Sequence, residues 1–422
     1  MPIEKRRSRL VLVEPNGSGG LIHYAYQLCT ALADEGLDVT LITGKHYELA
    51  GLPHNFRVNN LLDLWTLFDP QVSQNVHANS WQRRWQKVRW TARRGQRALR
   101  LLSAWFRLTR TVFELEPDIV QFSKIHFPFE AFFLAQMRRR GLTLTQICHE
   151  FEQRENQQGL FSSLRVRAYA DIYRNFSAIF FHARENCEKF LLLYPFVDNK
   201  KTHIIPHGNS SWLLRHFSQT HTSATLRQRY ALKPKEPVVL FFGLLAPSKG
   251  IQDLVDAFAI IRKSSDAKLL IAGYPTKHFD MEELHAKIAA SGLTDHVILD
   301  TRYIPLEEVG ALMGLATVAV YPYRSSTQSG ALQVAYTFGR PVVATTVGGL
   351  PEAVEPGRSG FLVPAESPQD LAEAIQKLVN NYELAKIMGE YARHLSETRF
   401  SWRSVARQIV QVYDALMDRE SV

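Results

Sequence analysis

Apolar and polar positions alternate along this chain between two periods. Leu10 to Val13 is a short apolar run, and after a glycine-rich turn the apolar residues of Leu21 to Glu35 recur at helical spacing. Gly36 supplies the stop, and Asp38 to Thr43 is a second strand pattern. Further on, Ile119 to Phe122, Leu144 to Cys148 and Ala178 to Phe181 are predicted strands, separated by predicted helices over Glu130 to Arg140 and Leu164 to Asn175. Between Pro206 and about Glu236 the pattern gives way to turn-rich sequence.

The alternation then restarts. Strands are predicted at Val238 to Leu244, Ala267 to Ala272, Val297 to Leu299, Val318 to Tyr321 and Pro341 to Ala344. Helices are predicted at Ile251 to Lys263, Met281 to Ser291, Pro305 to Leu315 and Gln328 to about Phe338, and three more follow without a strand from Pro368 to Asp418. Two separate alternations imply two doubly wound α/β domains. At 422 residues and 45% hydrophobic content, the chain is long and apolar enough to bury two cores.

Charge changes this picture in one place. Residues 1–210 hold 28 Lys and Arg against 19 Asp and Glu, a balance of +9, whereas residues 211–422 hold 22 of each. Within the first half, Pro70 to Phe113 has no acidic residue, and Trp81 to Arg110 carries ten basic ones. Trp81, Trp85, Val88, Ala92, Leu99, Leu102 and Trp105 step along this segment at helical intervals. Two readings stand. Trp81, Arg83, Arg84, Trp85 and Trp105 form an interfacial helix on an anionic membrane surface, or the stripe faces a core and the arginines face water. No nucleic-acid-binding module surrounds the arginines, so no nucleic-acid partner is expected.

Cys29, Cys148 and Cys187 have no metal-ligand spacing and leave an odd thiol if two are bridged, which favours a reducing compartment. The N-terminal apolar run is too short for a signal peptide, and no apolar run approaches a membrane span. A cytoplasmic location is the expectation.

Candidate chemistry lies mainly at strand ends. Gln328-Ser329-Gly330 opens one helix, and Gly348-Gly349 precedes Pro351 at a second helix start, so two sets of helix-start amides suited to a diphosphate lie close in sequence. Lys249, in the turn Pro247 to Gly250, is placed either to reach a phosphate or simply to face solvent. His149 ends a strand, where open α/β sheets bind ligands, although a strand-end histidine is commonly structural. Gln328 and Glu352 serve either a ligand or their own helix starts. His207 lies in the turn Pro206 to Gly208. Gly17, Gly19 and Gly20 permit close backbone approach, yet their spacing is not the dinucleotide fingerprint.

Five of these segments, in this order, resemble the family-4 retaining glycosyltransferases of the GT-B fold, also described as glycosyl transferases group 1. Asn16 to Gly20 resembles their N-terminal glycine loop, Ile147 to Glu150 their strand-end histidine, and Ile204 to Asn209 their interdomain turn. Phe242-Gly243 with Pro247 to Gly250 resembles their phosphate-binding lysine loop, and Ser325 to Glu352 their donor site. The likeness is to members that assemble bacterial polysaccharides and glycolipids. It implies two Rossmann-like domains facing across a cleft: an acceptor-side domain at 1–212 containing the basic segment 70–113, a nucleotide-sugar domain at 213–399, and a helix at 400–422 crossing back.

The resemblance further implies a hexosyltransferase that uses a nucleoside diphosphate sugar and needs neither metal nor cofactor. His149, Lys249 and Gln328 are the implied catalytic residues. The implied donor contacts are Gly17, Gly19, Gly20, Gly243, Lys249, Arg324, Gln328, Ser329, Gly330 and Glu352. A saccharide or glycolipid acceptor is expected at the inner face of the cell membrane. The chain departs from the family pattern at three positions: Leu244 stands where an arginine is usual, with Arg324 as candidate substitute, and Ser326 and Val334 stand where paired glutamates are usual. Those departures motivate an alternative, a catalytically silent GT-B protein acting as a scaffold.

Overall fold

The computed structural model describes residues 7–62, 80–125, 127–151, 162–217 and 222–420, with the side chains of 80–96, 162–166, 168 and 419–420 outside that set. The chain divides into two units. The first holds the chain through Phe181, Phe190–His203 and Ala406–Val422; the second holds His182–Lys189 and Ile204–Val405.

The first unit is built on β1 (Arg9–Glu14), α1 (Gly20–Asp34), β2 (Asp38–Gly44), β3 (Arg57–Leu62), α2 (Ser80–Leu115), β4 (Ile119–Phe122), α3 (Glu130–Arg139), β5 (Thr143–Ile147), α4 (Ser162–Tyr173), β6 (Ala178–Phe181), the later part of α5 (Arg184–Leu193) and β7 (Thr202–Ile204). Its seven strands take the order β3-β2-β1-β4-β5-β6-β7. β4, β5 and β6 are buried throughout, as strands covered by helices on both faces must be. β3 is the exception: half-exposed at the sheet edge, it tolerates Asn59 and Asn60 and has no periodic apolar signature. β3, α5 and β7 are elements that the apolar pattern does not foresee.

The second unit begins with α6 (Ser211–Phe217) and α7 (Ser223–Arg229) and continues through β8 (Val238–Phe242), α8 (Ile251–Ile261), β9 (Lys268–Ala272), α9 (Met281–Ala290), β10 (Val297–Asp300), α10 (Leu306–Leu315), β11 (Val318–Tyr321), α11 (Gly330–Thr337), β12 (Val342–Thr345), α12 (Leu350–Ala353), β13 (Gly360–Val363), α13 (Pro368–Val379), α14 (Tyr382–Glu397) and the start of α15 (Trp402–Glu420). Its six strands take the order β10-β9-β8-β11-β12-β13, with β8 parallel to both β9 and β11. In each sheet the strand order reverses at the first strand of the unit, beside β1 and beside β8. Ligands of doubly wound folds bind at the carboxyl ends of strands at such reversals.

Helix starts follow local chemistry. Thr222, Asp280, Ser329 and Asn381 each turn a side-chain oxygen onto an amide three residues on, holding α7, α9, α11 and α14.

One expectation is corrected within α2. Trp105 is 5% exposed, its indole N–H donates to buried Glu130 at 3.1 Å, and its ring lies 5.5 Å from Phe133. A side chain enclosed this way makes no membrane contact; helical spacing alone did not say which face of the stripe the core would take. The side chains of Trp81, Arg83, Arg84 and Trp85 lie outside the described residues.

In the second unit, Gly208 packs flat on Trp402. An added Cβ would lie 2.3 Å from the indole, whose N–H donates to the Asn209 carbonyl at 2.8 Å. Gly208→Ala is therefore expected to lower the stability of this unit by about 1–3 kcal/mol, the usual cost of overpacking, with no change at Gly51→Ala, where a Cβ meets open space. Urea unfolding of the two variants checks this.

Candidate functional site

The loops after β8, β11 and β12 meet at the reversal point of the second sheet. Gly243 leaves β8 at φ +145, and Pro247–Lys249 forms a single 3-10 turn. Gly250 follows in the left-handed region at φ +64, with its Cβ position only 1.8 Å from the Pro322 carbonyl oxygen. No other residue type fits that approach. The Arg324 and Ser325 amides both donate to the Ser248 carbonyl, at 2.9 and 3.3 Å, and lace the two loops together.

This lacing sets Lys249 over Tyr323, with the ammonium 3.6 Å from the ring centroid. Tyr323 is buried, and its hydroxyl shares a 3.1 Å hydrogen bond with Ser329 Oγ. Ser329 in turn accepts from the Leu332 amide and caps α11. One chain of contacts thus connects the lysine to the α11 start, whose first amides have no intrahelical acceptor. Gly330 opens the helix with only the His207 ring nearby, 3.6 Å from its Cβ position.

Gln328 sits between these groups. Its Oε1 accepts from the Ser329 amide at 2.9 Å, and its Nε2 donates to the His182 carbonyl at 3.4 Å. The β12 loop closes on the same segment: the Cβ position of Gly348 is 1.7 Å from the Ser326 carbonyl oxygen, and the Gly349 amide donates to Thr327. Asn186 also donates to the Thr327 carbonyl, at 2.6 Å. Glu352 accepts from the Arg184 amide at 2.6 Å, so its carboxylate serves the start of α5.

Arg324 is held by Asp253 through two hydrogen bonds of 2.8 and 2.7 Å, with Glu366 at 3.5 Å. Its guanidinium is thus tied to α8 and carries a carboxylate of its own. His207 donates through Nδ1–H to the Gly208 carbonyl at 2.9 Å, and burial lowers its pKa to about 4, which makes it a neutral ring beside the α11 start. Leu244, Tyr274 and Tyr303 stand exposed at the ends of adjacent strands β8, β9 and β10. The two tyrosines carry no spacing signal, and only sheet order brings them side by side.

In the first unit the glycine loop follows β1. The Cβ position of Gly17 falls 2.0 Å from the His46 carbonyl oxygen, while Gly19 takes φ +86 and Gly20 begins α1 in open space. Glu48 grips this loop: one carboxylate oxygen accepts from the Gly19 amide at 2.9 Å and meets His23 Nε2 at 3.1 Å. A carboxylate of the chain itself therefore occupies the α1 start. His149, at the end of β5, meets Tyr24 edge-on with ring centroids 4.8 Å apart.

Glu14 ends β1 wholly buried, beside the strand-order reversal, and carries no signal in the sequence because Ser123 and Lys124, which approach it, are distant in the chain. Its Oε1 accepts from the Asn16 amide at 2.9 Å. Burial pushes its carboxyl up to about 7, opposed by the Asn16 amide, Lys124 and Ser123. Because the folded state holds this proton more tightly than the unfolded chain, its contribution to stability is greatest below the ordinary value of 4.5. The contribution is lost as pH rises towards about 7. Glu14→Gln should therefore flatten the fall in stability between pH 5 and pH 8 seen by urea unfolding, gaining most at the alkaline end.

Residues 18–209 match a family model described as Glycosyltransferase Family 4, and residues 236–381 match one described as Glycosyl transferases group 1. Among curated proteins, an alpha-D-kanosaminyltransferase of Streptomyces kanamyceticus is 31% identical over 191 residues, 45% of this chain and 48% of that protein. A D-inositol 3-phosphate glycosyltransferase of Corynebacterium jeikeium is 33% identical over 195 residues, 45% of this chain and 46% of that one. The chain spans about half the length of the curated relatives it matches. Sucrose-phosphate synthase from Thermosynechococcus elongatus has the same fold, with a TM-score of 0.72 at 22% identity over 98% of this chain and 100% of that one. Anabaena Alr3699/HepE in complex with UDP and glucose superposes at 0.71 and 19%, over 97% and 100%.

Proposed function

The chain belongs to the family-4 glycosyltransferases of the GT-B fold, and from that membership we propose that it moves a sugar from a nucleoside diphosphate sugar to an acceptor hydroxyl with retention of anomeric configuration. The observation that carries this reading is the contact chain from Lys249 through Tyr323 and Ser329 to the α11 start. An ammonium and the start of α11, whose first amides have no intrahelical acceptor, are joined by one chain of contacts at the reversal point of the second sheet, an arrangement suited to a departing diphosphate. Stabilising that charge as it develops lowers the barrier more than binding the intact donor would.

Gln328 is assigned to a neutral hydrogen bond with the sugar, and a donor phosphate oxygen takes the acceptor proton, so no protein base is invoked. We assign no cofactor and no metal. The acceptor is a saccharide or glycolipid, and the enzyme works in the cytoplasm at the inner face of the cell membrane. Support for the donor class comes from neighbours of the same fold whose structures hold UDP or UDP-glucose.

A second reading, a silent scaffold, is favoured by Leu244, Ser326 and Val334 in place of charged family residues and by the engagement of Arg324 with Asp253. Turnover separates the two.

Lys249→Ala should weaken binding of UDP or GDP by about 1.5–3 kcal/mol in calorimetry, the scale of a hydrogen bond to a charged group; unchanged affinity removes the lysine from the site. Gln328→Ala should lower turnover more than it lowers nucleotide affinity, because its partner is the sugar. If no tested donor is turned over with a competent acceptor extract, the scaffold reading prevails.

A further inference from the structure

Resting on the membrane-side location proposed above, we infer that the first unit docks on an anionic lipid bilayer through the outward face of the last turns of α2 together with the start of α3. Trp105 does not define this surface; it is enclosed beneath it.

The face is apolar where solvent meets it. Leu99 is 69% exposed, Phe106 60% and Phe132 65%, with Leu102 and Phe127 also exposed. At 100° per residue, Leu99, Leu102 and Phe106 fall within a stripe of about 60°. Trp105, Leu108 and Val112 occupy the neighbouring, core-facing side of the same helix. The stripe is continuous with α3: Phe106 and Phe132 both meet buried Phe133 edge-on, with centroids at 5.0 and 5.4 Å. Phe127 joins through Phe129, on which it stacks at 5.9 Å. The rings are thus fixed from below and presented outward, and a solvated helix has no need of them.

Charge selects the occupant. Arg100 and Arg107 are exposed on α2 beside the stripe, and Arg138, Arg139 and Arg140 are exposed at the end of α3. The nearby acids are already engaged: Glu114 with Arg110, Glu116 with Arg9, and Glu130 with Trp105. A second copy of this face would bring arginines against arginines. A bilayer offers apolar depth for the phenylalanines and phosphates for the guanidinium groups at once. Among the described residues no helix is long and apolar enough to cross a membrane, so the contact is one of lying on the surface.

The experiment is vesicle co-sedimentation of the full chain with phosphatidylcholine alone and with phosphatidylcholine containing phosphatidylglycerol, at low and high salt. Binding should rise with phosphatidylglycerol and fall with salt. The double variant Phe106→Ser, Phe132→Ser should reduce partitioning about tenfold or more, and Arg100→Gln with Arg107→Gln should remove most of the dependence on anionic lipid. All four side chains are exposed, and matching thermal unfolding of the variants excludes a folding defect. Wild-type partitioning by the phenylalanine variant overturns the proposal. So does a change confined to self-association in analytical ultracentrifugation, or binding to single-stranded DNA that these substitutions abolish while vesicle binding persists. Calorimetry with UDP and GDP runs in parallel: vesicle binding without nucleotide binding sinks the donor reading and leaves the docking surface intact, and the reverse result does the opposite.

Discussion

The candidate site of the second unit depends on one close approach between two backbones. Gly250 lies so near the Pro322 carbonyl that a single added carbon would collide with it. That contact brings the turn after β8 against the loop after β11, lets Ser248 accept from Arg324 and Ser325, and so places the Lys249 ammonium over Tyr323. A similar approach, Gly348 against the Ser326 carbonyl, brings in the loop after β12. Preorganised charge is effective only where its supports do not move, and backbone packed on backbone is the stiffest support a loop has.

Carboxylates do much of the remaining local work. Glu48 holds the start of α1, Glu352 the start of α5, and Asp253 fixes Arg324. Glu14 differs, since it is sealed at a strand end with a proton affinity raised into the neutral range. Glu48 and Glu14 accept from amides of the glycine-rich loop after β1, Gly19 and Asn16, where Gly19 gives the helix start no side-chain cap. Glu352 read from sequence alone looks like a ligand contact, because a carboxylate at a helix start has the same chemistry whether its partner is a substrate or its own chain.

Charged and aromatic residues of the first unit are sorted by a different constraint. A long amphipathic helix with aromatics on two sides offers two apolar faces, and the sheet covers one. β4 takes Trp105, whose ring stacks 6.0 Å from Phe122, and Phe106 is left outside.

Much of this protein was legible in its sequence. Strands β1, β4, β6, β8 and β11, the two-unit α/β alternation and the lysine turn follow from periodicity and from glycine and proline placement, which act within a few residues. Legibility failed at β3 and β13, short strands without alternation, and at Arg324, whose candidate role rested on charge alone until Asp253 was found beside it. Sequence determined which residues carry charge, where helices begin and which strands are apolar. Only the tertiary structure decided strand order, and with it that Glu14 stands beside Lys124, that Tyr274 and Tyr303 share an edge, and which face of α2 meets water. The physical reason is that strand order and helix rotation are set by packing between segments tens to hundreds of residues apart, and a local pattern has no knowledge of such distant partners.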